Sequence, residues 1–269
     1  VEQFALPSHR IIPFSTTSAR LTVAAPAINL AAGLALEGLS VLLVDCDPQA
    51  NTTGGMGLAR NEARSTVYDL LIGAATASEV IHDTEIGGLH LIPSSRNLIG
   101  AALELVNHER REYLLREALA PIRGQYAFII LDCPPSLDLL TLNCLVTADS
   151  LLVPMQAEYF ALEGISELMS TLDRVSLAFN PDLGLEGVLL TMYDERTNLT
   201  QQVAANLRAF FNEKLFSTTI PRNVRLAEAP SHGKPVLLYD PRSRGAESYM
   251  ALVRELMARN GIEAPRRDD

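Results

Sequence analysis

Three acidic residues stand where a sheet protein does its chemistry. The apolar run Val41-Leu42-Leu43-Val44 ends in Asp45, Asp47 follows two residues on, and Phe128-Ile129-Ile130-Leu131 ends in Asp132. Such runs read as buried strands, and open α/β sheets hold their ligands at the carboxyl ends of strands. A lone strand-terminal aspartate also serves as a helix N-cap or a turn residue. Here both strands lead into proline, as Asp47-Pro48 and as Asp132-Cys133-Pro134-Pro135, which favours a ligand site over two separate caps.

The elements that must position these acids follow from the hydrophobic pattern. Short apolar runs alternate with longer segments of helical period, the signature of a parallel sheet covered by helices on both faces. Ile11-Ile12 fits a first strand, and Leu89–Pro93, Ser150–Pro154 and Gly187–Thr191 read as further strands. Helices are predicted over Ala27–Glu37, with a stop at Gly38, and over Leu98–Leu119, Leu162–Phe179, Thr200–Phe211 and Ala246–Met257. Linkers, repeats and low-complexity tracts are missing, so residues 1–269 read as one doubly wound α/β domain with a frayed end at Pro265–Asp269.

Composition narrows the class. The 269 residues carry a net charge of −10, with 48% hydrophobic and 20% charged residues, which excludes a disordered tail. No apolar run reaches the roughly 18 residues of a membrane-spanning helix. The first 30 residues lack the pattern of a secretory signal, so a cytoplasmic protein is expected. The acidic balance argues against a surface coated with positive charge but still allows a local basic patch. Cys46, Cys133 and Cys144 lack zinc-ligand spacing and read as small buried hydrophobes, and His82, His90, His108 and His232 show no metal spacing. A dinucleotide-binding oxidoreductase is excluded because no GxGxxG follows the first strand. A serine hydrolase is excluded because no GxSxG elbow occurs.

Four blocks carry a family resemblance. They are VLLVDCDPQANTTGGMG (Val41 to Gly57), FIILDCPPSLDLLTLNCLVTADSLLVPMQAEYFALEGI (Phe128 to Ile165), TMYDERTNLTQQV (Thr191 to Val203) and IPRNVRLAEAPSHGKPV (Ile220 to Val236). In order and spacing they resemble the ParA/Soj chromosome- and plasmid-partitioning ATPases of the MinD/ParA superfamily, and the similarity runs from Ala27 onward. The resemblance implies a P-loop NTPase-like fold, ATP and Mg²⁺ as cofactors, and a homodimer that ATP assembles on nonspecific DNA. It also implies a ParB-like partner that stimulates hydrolysis, a cytoplasmic, nucleoid-associated location and no membrane partner. Carried over by position, Asp132 would hold the magnesium through water. Asp45 would sit beside the magnesium and phosphates, and Asp47 would position or activate the attacking water. Carboxylates suit these tasks because Mg²⁺ is a hard cation that keeps its waters and phosphoryl transfer needs an oriented nucleophile. Pro221 would lie near the adenine, and Arg196 and Arg225 match arginines implicated in nonspecific DNA binding. Phosphate contacts of that kind are salt-sensitive and blind to sequence.

One block departs from the family. Its deviant Walker A loop, KGGVGKTT, falls on Ser18-Ala19-Arg20-Leu21-Thr22-Val23-Ala24-Ala25 when counted back from Ala27-Ile28-Asn29-Leu30. Glycines let backbone N–H groups curl around phosphates, and the lysine neutralises their charge. No glycine precedes Gly33 and no lysine precedes Lys214, so no realignment recovers the motif. Val23 replaces the phosphate lysine, Ala24 the magnesium-ligating hydroxyl, and Ser18 the signature lysine that reaches across the dimer. Ala19, Arg20 and Thr22 replace glycines, which makes positive-φ turns costly. Pro26 removes a donor from the first helical turn, and Arg20 is the only cation nearby. ATP binding is therefore expected to be abolished or strongly weakened. Loss of the engine from a retained scaffold, an alteration confined to the first 26 residues, and an unfamiliar mode of phosphate binding all stay open. Two functional readings follow: a ParA-type partition protein with a degenerate loop, or a non-catalytic pseudo-ATPase module that docks on a partner ATPase, a ParB-like protein or DNA.

Overall fold

The structure, a computed structural model, describes residues 9–14, 24–59, 63–157 and 161–263. Ser18, Ala19, Arg20, Leu21, Thr22 and Val23 of the expected loop lie outside the described residues, as does the chain end Pro265–Asp269. Eight strands are present among the described residues: β1 (Arg10–Phe14), β2 (Val41–Asp45), β3 (His82–Asp83), β4 (Leu89–Ile92), β5 (Phe128–Asp132), β6 (Ser150–Gln156), β7 (Gly184–Tyr193) and β8 (Leu215–Pro221). They form one sheet in the order β3-β4-β2-β5-β1-β6-β7-β8, parallel except for the short β3–β4 pair.

Strand periodicity explains why the central runs are apolar without interruption. Successive side chains point to opposite faces, and here both faces are covered. On one face Val41, Leu43 and Ile130 pack with Leu30 and Leu34 of helix α1 (Ala24–Leu36) and with Leu252 and Leu256 of the helix Arg244–Arg259. On the other, Leu42, Val44, Ile129 and Leu131 pack with Leu70, Leu115 and Leu140. A third cluster joins β6 and β7 to the helices Ala161–Ala178 and Asn198–Phe211. Helix α1 stops as its sequence predicts: Gly38 has φ +90°, and the N–H groups of Gly38 and Leu39 donate to the carbonyls of Ala35 and Leu34. No helix among the described residues is long and apolar enough to cross a membrane.

The expected helix Leu98–Leu119 is broken. It divides into the helix Leu98–Glu104, 3₁₀ turns at Leu105–Asn107 and Arg111–Tyr113, and the helix Leu114–Leu119. Arg110 adopts a left-handed conformation (φ +58°), which no helix can carry through. Buried Asn143 services the break: its Nδ2 donates to the Arg111 carbonyl at 2.9 Å, and its Oδ1 accepts from the Leu115 N–H at 3.1 Å. Strand β8 goes unpredicted because three polar residues, Ser217, Thr218 and Thr219, interrupt its apolar pattern. Edge strands tolerate this, and here the Glu255 carboxylate accepts the N–H groups of Ser217 (2.7 Å) and Thr218 (2.8 Å).

The contact of β7 with β8 leaves no room for a side chain at Gly187. A Cβ there would stand 2.6 Å from the Lys214 carbonyl oxygen and 2.7 Å from the Phe216 ring. Gly187→Ala should therefore destabilise the fold by about 2 kcal/mol or more. Urea unfolding measures this, and an unchanged midpoint would contradict the packing.

Candidate functional site

Register, more than side-chain chemistry, brings the acids together. Asp132 ends β5 opposite Asp45 on β2 and opposite Phe14 on β1, so three neighbouring strands finish side by side. After β1 the chain continues to β2 on one side of it, while β6 lies on the other, which makes this the crevice where ligands collect in such sheets. The loop after β2 turns tightly: the Asp47 N–H donates to Asp45 Oδ1 at 3.1 Å, and the Gln49 N–H donates to Asp47 Oδ1 at 2.9 Å. Ala50, at φ +53°, then directs the chain into the short helix α2 (Asn51–Gly55).

Helix α2 returns two hydroxyls to the strand ends. Thr53 donates both its N–H (2.8 Å) and its Oγ1 hydroxyl (2.6 Å) to Asp45 Oδ2. Thr52 Oγ1 donates to Asp132 Oδ2 at 2.6 Å. Thr53 Oγ1 also accepts the Ser94 N–H at 2.9 Å, which ties the loop after β4 into the same network. Asp132 Oδ1 is buried with no partner among the described residues. Sequence reasoning singled out the three acids but missed Thr52 and Thr53. The available signal was a hydroxyl pair seven and eight residues beyond the strand-ending Asp45.

Electrostatics at the site are one-sided. Burial pushes the Asp45 carboxyl up to about 6, against the relief its Thr53 bonds provide. Asp132 is pushed well above the carboxylate range, first by burial and then by the charge of Asp45. Asp47 is half-buried, and burial and the charge of Asp138 raise it too. Among the described residues no lysine, arginine or histidine forms an ion pair with any of the three. The acidic half suits a hydrated divalent cation, having hard oxygen donors and one oxygen still unpartnered. The two described residues of the phosphate half supply no side-chain donor. Ala24 and Ala25 open α1 with methyl groups alone, and Pro26 behind them has no N–H.

The other predicted residues lie elsewhere along the carboxyl edge of the sheet. Pro221 ends β8 in register with Tyr193, and together with Arg196, Arg222 and Arg244 these residues line a cavity of about 330 Å³. Arg196 is gripped by Asp194 through Nε (2.8 Å) and Nη2 (2.7 Å). Arg225 pairs instead with Glu228 (2.8 Å) and Asp240 (3.2 Å), on a different set of partners. Cys46, Cys133 and Cys144 are all buried free thiols, as their spacing suggested.

Comparison with known proteins accords with this geometry. A family model described as an AAA domain matches residues 16–185. The chromosome partitioning protein ParA of Myxococcus xanthus is 48% identical over 258 residues, covering 96% of this chain and 91% of that protein. The chain belongs to the ParA/Soj family of chromosome-partitioning ATPases. The sporulation initiation inhibitor protein Soj of Bacillus subtilis, another ParA/Soj member, is 50% identical over 231 residues, covering 86% of this chain and 91% of that protein. Among solved structures, cobyrinic acid a,c-diamide synthase of Mycobacterium smegmatis with a bound ATP analogue and magnesium superposes with a TM-score of 0.80. It is 31% identical and covers 95% of this chain and 98% of its own. MinD of Pyrococcus horikoshii, at 22% identity and a TM-score of 0.75 over 92% of this chain and 95% of its own, shares the fold. This ParA/Soj chain thus has the P-loop NTPase-like sheet its sequence blocks imply.

The raised acids set a pH dependence. An acid whose pKa is higher folded than unfolded binds its proton more tightly in the native state, so stability falls as pH rises through that window. For Asp45 the window runs from 3.8 to about 6. The accumulated cost at neutral pH is about 3 kcal/mol. Asp132→Asn keeps an acceptor for Thr52 and removes the repulsion. It should stabilise the chain near neutral pH and have little effect near pH 4. Urea unfolding at the two pH values tests this, and destabilisation at neutral pH would mean that a cation already compensates the pair.

Proposed function

We propose that this chain is a partitioning protein of the ParA/Soj type that retains the acidic centre and basic surfaces of its relatives but has lost its own grip on ATP. The observation that carries the reading is a buried carboxylate pair, Asp45 and Asp132, with no ion-pairing cation among the described residues. In the sequence, residues 18–25, where the phosphate loop is expected, contain neither lysine nor glycine. A triphosphate carries several negative charges, and bringing it against these carboxylates needs cations between them. A guanidinium at Arg20, out of register, is a poor substitute for an ammonium held by a glycine loop. No hydrolytic step is therefore assigned to Asp45, Asp47 or Asp132 in this chain.

Its part in segregation then rests on surfaces. Arg196, with Arg222 and Arg244 on the same cavity, and Arg225 on its own cluster would meet the phosphates of nonspecific DNA. Asp194, Glu228 and Asp240 compete for two of these guanidiniums, so DNA binding is weak and sensitive to salt. A ParB-like protein is the expected partner, and the cytoplasmic nucleoid the expected location. With no ATP to bridge two copies, the chain stays monomeric alone and acts as a docking module on DNA, on a ParB-like protein or on an ATP-competent relative. The apolar packing on both faces of the sheet supports that second role, since the scaffold is complete without the loop.

Isothermal titration with ATP and Mg²⁺ tests the central statement. The chain as it stands should give no saturable heat. A variant carrying Ser18→Lys, Ala19→Gly, Arg20→Gly, Leu21→Val, Thr22→Gly, Val23→Lys, Ala24→Thr and Ala25→Thr should bind and dimerise, as light scattering would report. Tight ATP binding by the unaltered chain would sink the proposal. For the DNA surface, Arg196→Ala and Arg225→Ala should each lower the slope of log K against log salt by about 0.9 on a random-sequence duplex. Unchanged slopes in both variants would remove those arginines from the interface.

A further inference from the structure

Asn260-Gly261 is the single Asn-Gly pair in the sequence, and it stands where the last helix, Arg244–Arg259, ends. Asn-Gly is the dipeptide most open to deamidation, because glycine puts no side chain in the way of its own nitrogen. That nitrogen attacks the asparagine Cγ, the Cγ–Nδ2 bond breaks, and ammonia leaves with the proton that the backbone nitrogen gave up. Water then opens the succinimide ring at either carbonyl and gives aspartate or isoaspartate.

The fold holds this reaction shut. Gly261 has φ +66° and donates its N–H to the Ala258 carbonyl (3.1 Å), and the Ile262 N–H donates to the Met257 carbonyl (2.9 Å), the paired bonds of a Schellman cap. Asn260 has ψ +7°, which swings the Gly261 nitrogen away from the Asn260 side chain, whereas ring closure needs the two nearly eclipsed. The attacking nitrogen is thus both misplaced and engaged. The leaving group is held as firmly: Asn260 Nδ2 donates to Glu186 Oε1 and to the Leu256 carbonyl, each at 2.9 Å.

The same contact fixes what the product would meet. Glu186 is buried on β7, and its Oε2 accepts the Ser150 hydroxyl at 2.6 Å. Aspartate at position 260 would set a second carboxylate against that of Glu186 in the place of a donor. The site would then lose a hydrogen bond and gain repulsion. Arg259, the adjoining cation, is already engaged by Glu255 (2.7 Å) and by the Leu215 carbonyl (2.9 Å). The helix loosened in this way is the one whose Glu255 supports β8.

We propose that Asn260 is a deamidation site of this chain, closed while the last helix is capped and open when that end unfolds, and that Glu186 opposes recapping by the product. The modification is one-way, so a chain that has opened and reacted returns with a weaker hold on its last helix. The site is separate from the acidic crevice and stands whether or not ATP binds.

The test is peptide mapping by mass spectrometry of the full chain after incubation in mildly alkaline buffer, either folded or in urea. Asn260 should deamidate faster in urea by about tenfold or more. Equal rates would overturn the protection, and an unmodified Asn260 in urea would overturn the site. Asn260→Asp, which reproduces one product, should lower the urea midpoint by about 0.5 M. Adding Glu186→Gln should remove most of that loss, because the glutamine amide donates to the new carboxylate while its carbonyl still accepts from Ser150. An undiminished loss in the Glu186→Gln background, or no loss at all, would overturn the part assigned to Glu186. The kinetic comparison uses the unaltered chain, so it decides the site even where a variant does not fold.

Discussion

Two carboxylates placed in register on adjacent strands, inside the protein and without an ion-pairing cation among the described residues, shape everything built around this crevice. Burying an ionised acid is expensive, and burying two side by side adds repulsion to desolvation. The chain answers with neutral donors. Helix α2 exists as a short turn whose hydroxyls and N–H reach back to Asp45 and Asp132, and Ala50 accepts a left-handed backbone so that the turn can start where it does. Hydroxyl bonds of this kind soften the penalty but do not cancel it, as the elevated proton affinity of both acids shows. What remains is a site tuned for a missing positive charge.

That imbalance separates the two halves of the carboxyl edge. At β2 and β5 negative charge is buried and cations are missing among the described residues, while at β7 and β8 arginines gather around Pro221 at the surface. The arginine side is partly neutralised by its own acids, most tightly at Arg196, whose fork meets both oxygens of Asp194. Any anion that approaches must displace that neighbour. Exposed pairs of this kind contribute little to stability, so exchanging one carboxylate for an external phosphate costs the fold almost nothing.

The central sheet is legible because its strands are buried on both faces, which writes them as apolar runs, two of which end in an acid. Val41–Asp45 and Phe128–Asp132 match that reading residue for residue. Strand β8 is not legible, because an edge strand supported by Glu255 can carry Ser217, Thr218 and Thr219 without an apolar pattern. The break at Arg110 is hidden for a related reason: periodicity continues across it, and the residue that makes it tolerable, Asn143, lies far off in sequence. In the crevice, residue types announced the acids, whereas the donors of Thr52 and Thr53 depend on how α2 folds back.

The support that Glu255 gives to β8 has a consequence for how copies of this protein can meet. An open sheet normally ends in unpaired backbone donors that invite another strand. Here one border is occupied by a carboxylate from the last helix, and the opposite border is a strand of only two residues, His82 and Asp83. Growth by adding strands is closed at both borders. Self-assembly, whether productive or pathological, must proceed through helix faces or through the crevice mouth, where geometry rather than backbone pairing decides which surfaces match.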